Sequence, residues 1–357
     1  MSLVPYLEQL LERRHLTAAE AEAAMHTILS GQANHSQIAA FLMGLRVNGE
    51  TVEELVGFAR AMRRMAVPVN AGLHGEALLD TCGTGGDGSG TFNISTLVAF
   101  VVAGCGVRVA KHGNRAISGR QGGGSADLLE AFGVRVVIPP AETARAIREV
   151  GIGFLFAPAV HTAMKHAQPV RLDLGLRTVF NLLGPLTNPA GATAQVVGTP
   201  SAESARLLAG ALAGLGLRRG FVVHGSDGLD EITTTGSTLA YEIRAGTVEV
   251  RTLEPGDFGV AVARATDLKG GGRQRNLEIA EAVLANRPGP CRDIVLVNAA
   301  AALVAAGRAG TFLEAMPVAE QSLASGAARS KVEALARFTQ DVESEAGKTK
   351  SATDEHR

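Results

Sequence analysis

Three groups of residues in this chain have types and spacings that suit chemistry on a phosphorylated ligand. The first is Gly83-Thr84-Gly85-Gly86-Asp87-Gly88-Ser89-Gly90-Thr91, which follows the apolar run Ala77-Leu78-Leu79 and opens into a helix-like segment near Asn93-Ile94-Ser95-Thr96. The second is Lys111-His112-Gly113-Asn114-Arg115, which follows the strand-like Val107-Arg108-Val109 and leads through Gly122-Gly123-Gly124 into Ser125-Ala126-Asp127. Glycine lets the backbone approach an anion closely, and a helix start supplies unpaired N–H groups and the positive end of a dipole. Two such loops in succession, with Lys111, Arg115 and Arg120 on the second, imply a ligand with more than one phosphate group. The third group is the carboxylate pair Asp230-Glu231, beyond the strand-like Gly220 to His224. One or two carboxylates plus substrate phosphates suit magnesium, although spacing alone reads more readily as a solvated acidic pair.

The loops fit neither common nucleotide fingerprint. A Walker A loop requires Gly-Lys-Ser/Thr after its glycines, and no lysine follows those of the first loop. A dinucleotide fingerprint can be laid over Gly83, Gly85 and Gly88, but the basic Lys111 stands where an acidic residue is needed for a ribose.

The elements that must position these loops divide at about residue 66. Residues 1 to 66 read as a small all-helical unit, with Leu3, Leu7, Leu10 and Leu11 on one face and Ile38, Phe41, Leu42 and Leu45 at helical spacing. Thr17 with Glu20 and Thr51 with Glu54 are capping-box pairs. His15, His26 and His35 read as surface or cap residues, and Val67-Pro68-Val69 as a hinge. From Ala77 short apolar runs alternate with helical ones, the pattern of a mainly parallel sheet flanked by helices in a large α/β domain. Strands are expected at Val134-Arg135-Val136-Val137-Ile138, Gly153 to Phe156, Ala194 to Thr199 and Gly220 to His224, then a hairpin over 238 to 252. Gly270-Gly271-Gly272 reads as a loop, and the polar 341 to 357 as a disordered tail.

A length of 357 residues favours more than one domain around a shared cleft. Aromatic residues are only 4% with no Trp, and the formal net charge is -1, so neither base stacking nor global attraction to nucleic acid is expected. The odd cysteines Cys82, Cys105 and Cys291, without CxxC spacing, argue against a disulfide framework or zinc site and favour a reducing, cytoplasmic compartment. Met1 to Leu11 has no basic start and carries Glu8 in its apolar stretch, so no secretory signal is expected; no run is long enough for a membrane span.

GTGGDGSGTFNIST at Gly83 to Thr96, KHGN at Lys111 to Asn114, and HTAMKH with RTVFNLLGPLTNP between His161 and Pro189 resemble the signature segments of the anthranilate phosphoribosyltransferase family. The resemblance implies transfer of a phosphoribosyl group from phosphoribosyl pyrophosphate to the amine of anthranilate, in tryptophan biosynthesis. It implies a small helical domain completed by about 161 to 190, an α/β domain over 67 to 340, and a homodimer through the helical domain. By the same resemblance Gly83, Gly86, Asp87, Thr91, Asn93, Ile94, Ser95, Thr96, Lys111, His112, Gly113, Asn114, Arg115, Ala116, Ile117, Ser118, Gly119 and Ser125 line the phosphoribosyl pyrophosphate site. Gly83, Asn114 and Arg171 contact anthranilate, and Ser95, Asp230 and Glu231 hold Mg2+. A guanidinium suits bidentate carboxylate recognition, although Arg171 read alone is a surface helix arginine.

Lys111 and the loop N–H groups are expected to stabilise the departing pyrophosphate, with His112 available to accept a proton. The chain departs from the family pattern over Ala116 to Gly123, where hydroxyls are fewer and Arg120 intervenes; this glycine-rich segment is expected to become ordered around pyrophosphate. Alternatives are a pyrimidine nucleoside phosphorylase of related fold, whose glycine loop differs, and a nucleic-acid-binding relative, which the net charge opposes.

Overall fold

Four helices open the chain: α1 (Val4–Leu11), α2 (Ala18–Leu29), α3 (His35–Asn48) and α4 (Val52–Met65). The computed structural model describes residues 2–73, 75–115 and 123–354, from 343 onward as backbone only. Thr17 and Thr51 begin α2 and α4 through the expected capping boxes, each hydroxyl accepting from the N–H of Glu20 or Glu54. The helical spacing of Ile38, Phe41, Leu42 and Leu45 buries all four side chains.

The α/β part runs β1 (Leu78–Gly83), α5 (Ile94–Gly104), β2 (Arg108–Gly113), α6 (Ser125–Ala131), α7 (Pro140–Glu149), β3 (Ile152–Phe156), α8 (Ala157–Val160), α9 (Gln168–Leu174), α10 (Phe180–Leu183), β4 (Ala194–Gly198), α11 (Ala202–Gly214) and β5 (Arg219–Gly225). The hairpin β6 (Thr238–Arg244) and β7 (Thr247–Leu253) and helices α12 (Arg273–Leu284), α13 (Pro290–Ala305), α14 (Phe312–Ala324) and α15 (Ala327–Asp354) complete it. One seven-stranded sheet has the order β3-β2-β1-β4-β5-β6-β7, parallel through β5 and antiparallel beyond it.

The inner strands read as nearly unbroken apolar runs because both faces are covered. Val196, Phe221 and Val223 point to a core with α5 and α13. Their neighbours Val197 and Val222 point to the opposite face, where Leu207, Leu208 and Leu212 of α11 join Leu42, Phe58 and the rest of the N-terminal bundle in one core. Residues 161–190 also face that bundle: Val170, Val179, Phe180, Leu183 and Leu186 share its core, and Arg63 Nε donates to the Leu186 carbonyl at 2.7 Å.

Two expectations differ from the structure. The segment Val134 to Ile138 forms no strand. Val134 and Val136 are buried, but the Arg135 N–H donates to Thr339 Oγ1 on α15 at 3.0 Å, so a helix side chain takes the bond a strand would have made. The chain also continues as helical backbone to Asp354, past the start of the expected tail, and Val332, Leu335, Thr339 and Val342 on α15 are buried.

Candidate active site

The parallel strands end together. Gly83 at the end of β1 lies opposite Gly198 at the end of β4, and Gly198 opposite Val223 of β5. Open parallel sheets bind ligands beyond the carboxyl ends of their strands, and both glycine loops and the acidic pair emerge from that edge. The approach is close: a Cβ on Gly83 would lie 3.0 Å from Asp230 Oδ2, and one on Gly198 would overlap the Asp230 carbonyl.

The first loop, with Gly86, Asp87 and Thr91, turns through positive φ at Gly85, Gly86, Gly88 and Gly90. Asp87 Oδ2 accepts from Ser89 Oγ at 2.5 Å, and Ser89 Oγ lies 3.2 Å from Thr91 Oγ1. Asn93 then caps α5 by position, its Nδ2 donating to the Gly123 carbonyl of the second loop at 3.2 Å, and Ile94, Ser95 and Thr96 form the first helical turn. The Ser95 N–H donates to Glu231 Oε1 at 3.1 Å, which joins the helix start to the acidic pair.

Lys111 and His112 lie within β2 rather than on the loop where the sequence places them. A lysine interrupts the apolar run and hides the strand. In the fold its buried ammonium is satisfied by the Thr81 carbonyl and, at 3.4 Å, by Ser95 Oγ, near the carboxyl groups of Asp80 and Glu231. Gly113 ends the strand where a Cβ would strike Ser125 Oγ. Asn114 is exposed and its carbonyl accepts from the Ser125 hydroxyl at 3.3 Å and the Ala126 N–H at 3.2 Å. Arg115 grips Glu130 through two bonds of 2.6 Å and lies over the Phe156 ring. Ala116, Ile117, Ser118, Gly119 and Arg120, with the ordering expected of their segment, lie outside the described residues.

Burial governs the electrostatics. It raises the Asp230 carboxyl to about 7, helped by the negative charge of Asp87, and raises Glu231 well above the ordinary value, helped by Asp230. Among the described residues no three His, Cys, Asp or Glu side chains form a ready-made metal cage. A magnesium ion that takes one or two protein carboxylates and completes its shell with water and phosphate needs none.

Sequence reasoning did not assign three contributors, because they act across long chain separations. Asp80 accepts from the His112 N–H at 3.1 Å and from Asn188 Nδ2 at 2.8 Å, which ties β1, β2 and the 184–190 turn together. Arg177, between α9 and α10, donates to the carbonyls of Gly85 and Gly86. His161 packs its ring 5.1 Å from that of His112. His112 Nδ1 lies 3.2 Å from the Gly184 carbonyl, which can only accept, so Nδ1 carries the proton and Nε2 presents a lone pair. Thr84 Oγ1, Thr178 Oγ1 and the Nε2 atoms of His112 and His161 are buried without a partner among the described residues. Each such orphan leaves hydrogen-bonding capacity at the strand ends that the described residues do not use.

Burial depresses His112 to about 4 and, with the charge of His112, His161 to about 3. The unfolded chain therefore takes up these protons first, so stability present above pH 6.5 is lost as pH falls toward 4. Between pH 7 and pH 5 His112 should cost roughly 2 kcal/mol. Urea unfolding of the wild type and of His112→Asn at both pH values isolates this contribution from the oppositely acting raised carboxylates. An equal stability difference at the two pH values would refute it.

A family model for the helical bundle domain of the glycosyl transferase family matches residues 4–66, and one for its a/b domain matches residues 75–329. The anthranilate phosphoribosyltransferase of Solibacter usitatus is 71% identical over 338 residues, covering 95% of this chain and 99% of the relative. The chain belongs to the anthranilate phosphoribosyltransferase family. The enzyme of that name from Symbiobacterium thermophilum is 51% identical over 95% of this chain and 98% of its own. Among solved structures, the anthranilate phosphoribosyltransferase of Thermus thermophilus superposes with a TM-score of 0.87 at 44% identity, covering 94% of this chain and 99% of that one. The Saccharomyces cerevisiae anthranilate phosphoribosyltransferase in complex with PRPP and Mg superposes with a TM-score of 0.86 at 29% identity, covering 95% and 98%. The family's small helical domain and large α/β domain with a mainly parallel sheet are the architecture described above.

Proposed function

We propose that this protein transfers the phosphoribosyl group of 5-phosphoribosyl 1-pyrophosphate to the amine of anthranilate, giving N-(5-phosphoribosyl)anthranilate and pyrophosphate. The observation that carries this reading is the meeting of the two glycine loops with Asp230 and Glu231 at the carboxyl ends of β1, β2 and β5. In the reaction the C1–O bond to pyrophosphate breaks, a C1–N bond forms, and the amine nitrogen loses a proton. An aromatic amine is neutral and nucleophilic near pH 7, so no base is needed before attack. The loop N–H groups and the α5 start hold the pyrophosphate and offset its growing charge, with Lys111 supplying fixed positive charge from beneath. The lone pair of His112 Nε2 takes the amine proton, and Arg171 pairs with the anthranilate carboxylate.

Magnesium fits the donor set, because the half-buried carboxyls of Asp230 and Glu231 stand at the strand ends beside the start of α5, where the Ser95 N–H meets Glu231. Ser95, Asp230 and Glu231 are the residues that would hold it. When bound it neutralises phosphate charge. The yeast relatives with PRPP and Mg and with 4-fluoroanthranilate support both the cation and the substrates.

Residues 161–190 complete the helical domain in this reading, supported by their shared core with α1 to α4. The homodimer forms through this helical domain, which the apolar side chains of Leu11 and Val47 exposed on it support. A monomer mass in sedimentation would remove that contact. Among the described residues no helix is long and apolar enough to cross a membrane. Cys82, Cys105 and Cys291 are free, which suits the cytoplasm; recovery in a membrane or secreted fraction would contradict that placement.

The direct test is loss of anthranilate fluorescence with the protein, phosphoribosyl pyrophosphate and magnesium. Turnover should require all three. Phosphorolysis of thymidine or uridine without anthranilate consumption would instead establish a nucleoside phosphorylase.

A further inference from the structure

Arg177 reaches the first glycine loop from the far side of the cleft. It stands between α9 and α10, next to Val179 and Phe180, which share the core of the N-terminal bundle. Its Nη1 donates to the carbonyl oxygen of Gly85 at 3.1 Å and to that of Gly86 at 3.3 Å. Both glycines have left-handed backbones, φ +63° and +83°, so this part of the loop has no regular secondary structure to orient its peptide planes.

The consequence follows from peptide geometry. A trans peptide unit is planar, and its C=O and N–H point in opposite directions; no cis peptide occurs among the described residues. The Gly85 carbonyl shares its plane with the Gly86 N–H, and the Gly86 carbonyl shares its plane with the Asp87 N–H. When Arg177 draws both carbonyls toward the helical side, it turns the two N–H groups away from that side. Among the described residues neither N–H has a protein acceptor. A positive side chain on the carbonyl face thus fixes two consecutive peptide planes.

We propose that Arg177 is a positioning residue for phosphoribosyl pyrophosphate. It sets the Gly86 and Asp87 N–H groups as a preformed pair of donors for the pyrophosphate, and it does so from the segment that also carries Arg171. This rests on the function proposed above. A guanidinium is suited to the task because it donates from a rigid plane, whereas a lysine ammonium reaches the same carbonyls as a single flexible point.

The test compares wild type with Arg177→Ala, Arg177→Gln and Arg177→Lys. Magnesium pyrophosphate is the calorimetric probe, with KM for each substrate and thermal unfolding measured alongside. The Ala and Gln variants should bind magnesium pyrophosphate about tenfold more weakly, the scale of losing charge-assisted hydrogen bonds. KM for phosphoribosyl pyrophosphate should rise in parallel, KM for anthranilate should stay within about twofold, and the Lys variant should recover part of the loss. Unchanged pyrophosphate affinity in the Ala and Gln variants would overturn the proposal. So would a rise in anthranilate KM alone, which would make Arg177 a contact for that substrate. If the Ala variant does not fold, the Gln and Lys pair decides: Gln weak with Lys partly restored supports the proposal, and both at wild-type affinity overturns it. A wild type that binds magnesium pyrophosphate but never consumes anthranilate would count against the proposed reaction, while the ordering of the variants would still decide the role of Arg177.

Discussion

Asp230→Asn combined with Glu231→Gln should lower magnesium-supported turnover by roughly two to three orders of magnitude, the scale of removing charge stabilisation from a transition state. The apo protein should meanwhile be at least as stable as the parent. Both carboxyls are raised by burial and by neighbouring negative charge, Asp87 beside Asp230 and Asp230 beside Glu231. A carboxyl whose folded pKa is raised contributes stability that is fully present below its ordinary value and is lost as pH rises through the raised one. At pH 8 the wild type therefore bears a charge burden that the amides do not. The Gln keeps the local bond at the helix start, since its carbonyl oxygen can still accept from the Ser95 N–H. Thermal unfolding without metal at pH 8, beside turnover across a magnesium titration, separates stability from cation use. A double variant with wild-type magnesium dependence would return the pair to the role of solvated surface acids.

Arg171→Ala should weaken anthranilate by roughly 2 to 5 kcal/mol, the range for truncating one member of a buried charge pair, and leave magnesium pyrophosphate affinity intact. In the fold the Arg171 guanidinium lies 5.2 Å over the Phe180 ring, with Nη1 donating to Gln168 Oε1 at 3.3 Å. Burial lowers its pKa, and among the described residues no carboxylate offsets that desolvation. A planar cation held on an aromatic face without an internal counter-ion is suited to an incoming carboxylate. Calorimetry with each ligand separately provides the measurement. Anthranilate affinity unchanged by the substitution would exclude Arg171 from the site.

What was legible in the sequence was local chemistry. Thr17 with Glu20 and Thr51 with Glu54 name their helix starts because a capping box is complete within one turn. The glycine loops read in the same way, whereas Asp230-Glu231 by spacing alone reads as a solvated pair and takes its metal role only from the family resemblance. Val134 to Ile138 carries strand-like residues, yet which backbone group bonds Arg135 is decided by α15, far along the chain. Lys111 and His112 read as loop because a charge in an apolar run looks like an exit, whereas in the fold Thr81 and Ser95 receive the ammonium within the strand. His161 and Arg177 open two of the family-like segments, and Asp80 has no local signature, yet none of the three shows its role there. Their meaning lies in contacts with Gly85, His112 and Asn188, which only the assembled sheet brings within reach.

The core that joins Leu42 and Phe58 of the bundle to Leu208 of α11 and to Val197 and Val222 of the sheet makes the burial of each part depend on the others. An excised helical fragment of residues 1–66 would expose the apolar face that α11 and residues 161–190 cover. During synthesis the bundle must therefore wait for α11, emerging more than a hundred residues later, before its surface is sealed. The interval between those two events is when the nascent chain is most open to aggregation.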